Sequence, residues 1–360
     1  MVVTCELGEH TPGKHLVLRR YLDAWYTILG MSQDRILFID GFAGPGEYAG
    51  GEPGPPIVAM RALRDHAAKA RMKAEVVFLF VESDAARATN LKRLVDAESA
   101  SMPSNAKVSI EQGKFDATMN TVLDGLEAKG QQLAPAFLMA DPFGVSGTPL
   151  SVTQRVLRNP KSEVYISFMY EAISRWEETP EFAPHLDGLF GSPDWRAGIG
   201  ISDADEKKAF YFSLYRDRLK AAGAAHVVYF ELYKGGRLIY AIFFGTKHLL
   251  GCDRMKQTIW GVAPFGDYAF RGAGGDQLGL ELGDPDLDRF GRQLQAAFAD
   301  REWLTIKDLV DFGRSDRTDF HSSHVKPTLK RLESDGHLVR HPDAKAKART
   351  YPAGTSVRFV

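Results

Sequence analysis

The sequence predicts a mixed α/β fold. A doubly wound, mostly parallel seven-stranded sheet ends in an antiparallel hairpin, and a smaller C-terminal module follows it. Three observations predict this. Short apolar runs alternate with helical patterns through the first five strands. Two further apolar runs are split by the tight turn Lys234-Gly-Gly236. Beyond residue 303 the pattern changes to short helices and strands with a basic surplus. Alternation implies right-handed βαβ units, and a terminal hairpin reverses the last strand of a parallel sheet.

Lys14–Leu29 carries Leu16, Leu18, Tyr21, Leu22, Trp25 and Ile28 at amphipathic-helix spacing. Arg35–Asp40 is a strand-length apolar run that ends on an acid and leads straight into the glycine-rich segment Gly41–Gly51. After the Pro-rich Glu52–Pro56, Ile57–Leu63 is helical. Ala74–Glu82 is a buried strand that again closes on a carboxylate, followed by a charged helix at Ala85–Leu94 and a third strand at Lys107–Glu111. Ala136–Asp141 is the fourth strand and Pro142–Gly147 the loop after it. Leu150–Leu157 is helical, Glu163–Met169 is the fifth strand, and 171–222 is mostly helical with loop material near Gly191–Gly200. His226–Leu232 and Leu238–Phe244 form the hairpin. Gly261–Pro285, rich in Gly and Asp, reads as a linker or surface excursion. The division expected is 1–285 for the sheet domain and 290–360 for the C-terminal module.

Composition excludes several classes. Lys+Arg 45 against Asp+Glu 46 gives a net charge of −1, so any nucleic-acid surface must be local. Cys5 and Cys252 form no CxxC pair, which argues against a disulfide framework or a cysteine-built metal site. Apolar runs are too short to span a bilayer, and no apolar targeting stretch opens the chain. A soluble, cytoplasmic protein without a membrane partner is expected.

The candidate chemistry lies at strand ends. In Asp40-Gly-Phe-Ala-Gly44-Pro-Gly46, small residues at a strand-to-helix turn let backbone N–H groups approach a ligand. No Lys-Ser or Lys-Thr follows, which removes a P-loop. A dinucleotide fingerprint fits Gly44-x-Gly46-x-x-Ala49 on paper, but its ribose acid is expected about 20 residues on, and Glu82 arrives much later. Acids closing the first and second strands suit a nucleoside with an amino-acid tail. Asp40, with Gly41, Phe42, Gly44 and Gly46 beside it, would sit near the ammonium, and Glu82 would accept from the ribose diol. Asp116 would meet an adenine amino group or serve only as a helix cap. A structural turn at the loop and a cap at Asp40 are the alternatives.

Such a strand arrangement is shared by most S-adenosylmethionine-dependent methyltransferases. The fourth strand ends in Asp141-Pro142-Phe143-Gly144. Base-amine methyltransferases carry Asp/Asn-Pro-Pro-aromatic there, the first positions holding the amine and the ring stacking on a flipped base. Asp141 and Pro142 match, Phe143 supplies a ring, and the second proline is absent; a plain Asp-Pro turn is the alternative. His15 either leans into this cleft or is a surface or core residue. Arg175 and Trp176 follow the fifth strand without a specific spacing. No Ser-His-Asp order, HExxH pair or metal cluster stands out.

Residues 303–360 read as a winged helix. Thr305 caps Ile306–Phe312, a second helix runs from His321/Ser322 to Asp335, Gly336 ends it, and 337–340 and 356–360 are strands. Lys326, Lys330, Arg331, Arg340, Lys345, Lys347 and Arg349 against Glu333, Asp335 and Asp343 give a local balance of +4. His321, Ser322, Ser323 and Lys326 would line the start of a DNA-reading helix; a protein-docking module is the alternative.

With these residues in view, the chain resembles the three-Cys-motif partner family (TcmP) over nearly its whole length. The resemblance rests on Lys14-His15-x-x-Leu-x-x-Tyr-Leu-x-Ala-Trp25, Phe38-Ile-Asp-Gly-Phe-Ala-Gly-Pro-Gly46, Asp141-Pro-Phe-Gly144, Thr246-Lys-His248 and Met255-Lys256. It implies a class I methyltransferase domain with a C-terminal winged helix, a bacterial setting, and a three-cysteine, radical-SAM-like partner that resembles photoproduct lyases. Two functions are compatible with this. One is a SAM-dependent methyltransferase acting on DNA, less readily on RNA. The other is a non-catalytic DNA-binding partner in a repair or mobile-element system.

Overall fold

A computed structural model of the chain describes residues 11–234, 237–262, 268–269, 285–342, 347 and 349–360. Cys5, Lys345, the Gly235-Gly236 turn and most of 261–285 lie outside the described residues.

Helix α1 (Thr11–Gly30) leads into β1 (Arg35–Asp40), α2 (Pro55–Arg64), β2 (Glu75–Glu82), α3 (Ala85–Ser99) and β3 (Ala106–Gln112). Then come α4 (Phe115–Glu127), β4 (Ala136–Ala140), α5 (Leu150–Arg158), β5 (Glu163–Phe168), α6 (Tyr170–Trp176), α7 (Ala183–Phe190) and α8 (Ala204–Ala221). The hairpin β6 (His226–Lys234) and β7 (Arg237–Thr246) precedes α9 (Leu249–Val262) and the short β8 (Tyr268–Ala269). The C-terminal unit holds α10 (Leu287–Ala297), β9 (Leu304–Thr305), α11 (Ile306–Arg314), α12 (Ser322–Ser334), β10 (Leu338–Arg340) and β11 (Ser356–Phe359).

The main sheet runs β3-β2-β1-β4-β5-β7-β6-β8. Its first five strands pair in parallel, while β7 pairs antiparallel with both β5 and β6. This is the class I methyltransferase sheet, as the sequence predicts, with β8 added antiparallel to β6 at one edge. Alternation along β1 sends Ile36 and Phe38 to one face and Ile39 to the other. On the first face Phe38 stacks on Phe137 at 5.8 Å, under a layer that includes Leu18, Leu22 and Trp25 of α1. Burying each such ring contributes about 1.5–3 kcal/mol. The opposite face packs on side chains of α4, α5, α7 and α8.

Helices α4 and α9 are not among the predicted elements. The inward face of α9 carries Cys252, Asp253, Lys256 and Thr258 beside Met255 and Ile259, so its apolar periodicity is interrupted. The sequence pattern over Phe290–Trp303 predicts a helix; the structure forms it over Leu287–Ala297.

In the C-terminal unit, β10-β11-β9 make an antiparallel sheet over a core that includes Phe290, Leu309, Phe312, Leu329 and Val357. Thr305 starts α11 with a capping box to Asp308. This unit is tied to the main sheet through polar contacts. The ammonium of Lys256, fully buried on α9, donates to the carbonyls of Gly313, Ser315 and Phe320 at 2.6 Å and of Thr318 at 3.1 Å. Asp253 accepts from both the N–H (2.8 Å) and the hydroxyl (2.7 Å) of Ser322. Asp316 reaches back to Lys220 at 2.7 Å and to the N–H of Val227 at 3.1 Å. Among the described residues no helix is long and apolar enough to cross a membrane.

Candidate functional site

In open α/β sheets ligands bind beyond the carboxyl ends of the strands, where neighbouring strands run off to opposite sides. Here β1 lies between β2 and β4, so that point is the space beyond Asp40. Asp40 ends β1, Glu82 ends β2 and Asp141 follows β4. The structure therefore brings these acids to one end of the sheet.

Asp40 is fully buried. The N–H of Phe42 donates to its Oδ1 at 3.0 Å, while its Oδ2 is buried with no hydrogen-bond partner among the described residues. Burial, reinforced by the nearby Asp141 and Glu82 charges, pushes its carboxyl up to about 7 against the opposing Phe42 N–H and Lys14 ammonium. Buried acceptors are nearly always satisfied. An orphaned carboxylate oxygen at a strand end keeps its capacity to accept a hydrogen bond.

The loop above it is shaped by its glycines. A Cβ on Gly41 would fall 2.4 Å from the Phe115 ring, so only glycine lets α4 pack this closely. Gly44 has φ +63° with nothing within 4 Å of where a Cβ would stand. That is a left-handed residue with an open face, as close backbone approach to a ligand requires. Gly46, at φ +85°, packs instead against Leu91. Phe42 lies against Phe115 with ring centroids 5.5 Å apart. Glu82 braces the loop: its Oε2 accepts from Gly44 N–H at 2.9 Å and its Oε1 from Asp84 N–H at 2.8 Å. Asp116 lies in the first turn of α4, half-buried; the N-cap there is Lys114. Asp116 is thus no cap.

Asp141 is ion-paired with Lys14, a contact the sequence reading did not foresee. Burial raises the Asp141 carboxyl, but the Lys14 charge and hydrogen bond override it and hold the carboxyl below its ordinary value. Lys14 itself is buried and lies 5.7 Å from the centre of the Tyr240 ring. The signal for it was available: Lys14 occupies the same helical stripe as Leu18, Tyr21 and Trp25, and a lysine on an apolar stripe needs a partner. His15 lies beside the cleft, its Nε2 3.4 Å from the Tyr48 hydroxyl, and burial and Lys14 push it down to about 3. It is a neutral ring at neutral pH. Pro142 is buried and Phe143 is 79% exposed, with the Arg87 guanidinium 5.7 Å from its ring centre. Arg175 is paired to Glu171, and Trp176 stacks on Phe182 at 5.3 Å.

The structure corrects one expected placement in the C-terminal unit. His321 is buried, and both donors of Ser322 are taken by Asp253. The start of α12 is docked on α9 and is not free to read a groove. Lys326, Lys330, Lys347 and Arg349 are exposed and make no ion pair among the described residues. Arg331 pairs with Asp288 and Arg340 with Glu333. No group of metal-ligating side chains occurs among the described residues.

The chain matches no family model and no curated protein. It is similar at low identity to many solved structures, of which three serve as examples. One is an O-methyltransferase from Bacillus cereus in complex with SAH, at 12% identity and TM-score 0.36, covering 68% of this chain and 84% of that one. Another is Trm1 from Pyrococcus horikoshii with S-adenosyl-L-methionine, at 12% identity and TM-score 0.35, covering 71% of this chain but only 62% of Trm1. The third is LPL1258 from Legionella pneumophila, at 10% identity and TM-score 0.42, covering 72% and 94%. At such scores the architecture rests on the strand order itself.

Proposed function

We propose that the cleft binds S-adenosylmethionine and that the chain is a methyltransferase-like protein that acts on or binds DNA. The observation that carries this is the buried Oδ2 of Asp40, unpartnered among the described residues, beside an open glycine turn, at the point where the strand order diverges. An ammonium on an amino-acid tail is the donor that such an oxygen fits, and pairing it returns the ionised carboxylate to favour. Gly44 allows close approach of the loop. Glu82, anchored by two backbone N–H groups, keeps acceptor capacity for a ribose diol, and Asp116 stands next in strand order for an adenine amine. The cofactor supplies a methyl group activated on a sulfonium.

Asp141 is the group that would accept a hydrogen bond from an attacked amine and so fix its lone pair, a contribution of positioning and not of proton chemistry. The Lys14 ammonium now fills that acceptor. A substrate amine has to displace it or share the carboxylate, and this observation favours the second function, a non-catalytic DNA-binding partner. Phe143, 79% exposed with Arg87 against its ring, offers an aromatic surface on which a base would stack.

The C-terminal unit, with helix, strand, two helices and two strands in that order, is proposed as a winged helix. Its phosphate contacts are assigned to Lys326, Lys330, Lys347 and Arg349, with Lys345 in the same loop sequence. Kinship to the three-Cys-motif partner family and a radical-SAM-like partner belong to the same proposal.

Methyl transfer from labelled S-adenosylmethionine to DNA is the test. Transfer that Asp141→Ala abolishes establishes the enzyme. Wild type and variant equally inert, with DNA binding intact, leave the docking function. Replacing Lys347 and Arg349 should flatten the log K against log salt slope by about 0.9 per lost phosphate contact; an unchanged slope would remove this loop from the DNA interface.

A further inference from the structure

A cavity of about 230 Å³ opens at the other end of the sheet, between α1, α9 and the turn before β5. Trp25, Ile28 and Leu29 of α1 and Leu250 and Gly251 of α9 give it a mostly apolar wall. Along α1, Trp25 is eleven residues from Lys14, a rise of roughly 16 Å, so the cavity is separate from the cleft. Its floor is Glu163, whose oxygens both accept hydroxyls, from Tyr21 at 2.6 Å and Thr246 at 2.7 Å. Burial pushes that carboxyl up to about 7. A Cβ on Gly251 would come 2.3 Å from Glu163 Oε1, so α9 is held against this acid only because residue 251 has no side chain.

Two independent features point to a ligand. The indole Nε1 of Trp25, a residue only 3% exposed that lines the cavity, is buried with no hydrogen-bond partner among the described residues. Lys161 and Arg254 also line it, and among the described residues neither makes an ion pair with a carboxylate. Apolar walls, a spare buried donor and unpaired cations together select an anion with an apolar body. For scale, an apolar cavity of about 150 Å³ holds a benzene. The space here suits one ring with a short acidic arm.

We propose that this cavity is a second binding site, for a small aryl or branched aliphatic anion whose acid group meets Lys161 and Arg254 and whose body lies against Trp25. Calorimetric titration of the full chain with phenylacetate, phenyl phosphate and the uncharged phenylacetamide tests it. At least one anion should bind about tenfold tighter than the amide. Lys161→Gln with Arg254→Gln should remove that preference while leaving the melting temperature unchanged. Trp25→Phe, which keeps a ring and deletes the donor, should weaken every probe. The phosphate and carboxylate arms tell which acid the site prefers. Equal binding of anion and amide, no binding of any probe, or an undiminished preference in the Lys161/Arg254 variant would overturn the proposal.

Discussion

Lys14 and Lys256 are both buried lysines, and they are set differently. Lys256 divides its ammonium among four backbone carbonyls of the C-terminal unit. Among the described residues Lys14 has one carboxylate, Asp141, and beside that pair stands Asp40 with an oxygen that meets no donor. Burial lowers the pKa of Lys256, and the neighbouring Cys252, Asp253, Asp319 and Asp316 oppose that shift. A saturated buried charge fixes two units in one arrangement. An unsaturated acid cluster at a strand-end turn is the arrangement on which the proposed cofactor site rests.

The comparison breaks most visibly at Lys256. Lys256→Met keeps the length of the side chain but strands four carbonyls, and we expect a loss of ~3–5 kcal/mol. Chemical denaturation and limited proteolysis of 285–360 measure it; a change under about 1 kcal/mol would contradict the role given to that ammonium.

Asp40→Asn should act in the opposite sense. The folded carboxyl holds its proton up to about pH 7, above its ordinary 3.8. Ionising it on raising pH therefore costs folding free energy, a cost fully present above pH ~7 and gone below pH ~4. The substitution should stabilise the protein by ~1–3 kcal/mol near pH 8, with the gain shrinking as pH falls through that window. Thermal melts across pH check it, and a destabilised variant near pH 8 would show that Asp40 is an ordinary structural acid.

Lys14→Met sharpens the contrast at smaller scale. Asp141 keeps about a quarter of its side chain exposed, so water compensates in part and ~1–2 kcal/mol is expected. Its carboxyl should titrate higher once the ammonium is gone, as carbon-detected NMR would follow. An unmoved titration would mean that Lys14 does not hold it.

Much of this molecule was legible in the sequence. Strand-length runs ending in Asp40, Glu82 and Asp141 locate one end of the sheet, and the Gly44 turn follows from chemistry that needs left-handed backbone. What was not legible depended on contacts far apart in the chain. The Lys14–Asp141 pair joins the first helix to the fourth strand. Helix α9 hides its periodicity because its inward face carries Asp253 and Lys256 for a partner more than fifty residues on. His321 and Ser322 were expected on a DNA-reading surface because a local pattern of helix start and basic loop cannot show which side of α12 is docked. The bound state of Glu82 was equally hidden, since backbone donors leave no mark in composition.

The most direct measurement is calorimetric titration with S-adenosylmethionine of the wild type, Asp40→Ala and Glu82→Ala. Binding to the wild type is predicted, weakened about tenfold or more by each substitution. Wild-type affinity should fall as pH drops below about 7, where Asp40 must first lose its proton. Absence of binding in the folded protein, or binding that both substitutions leave unchanged, would contradict a cofactor cleft and leave the domain a scaffold.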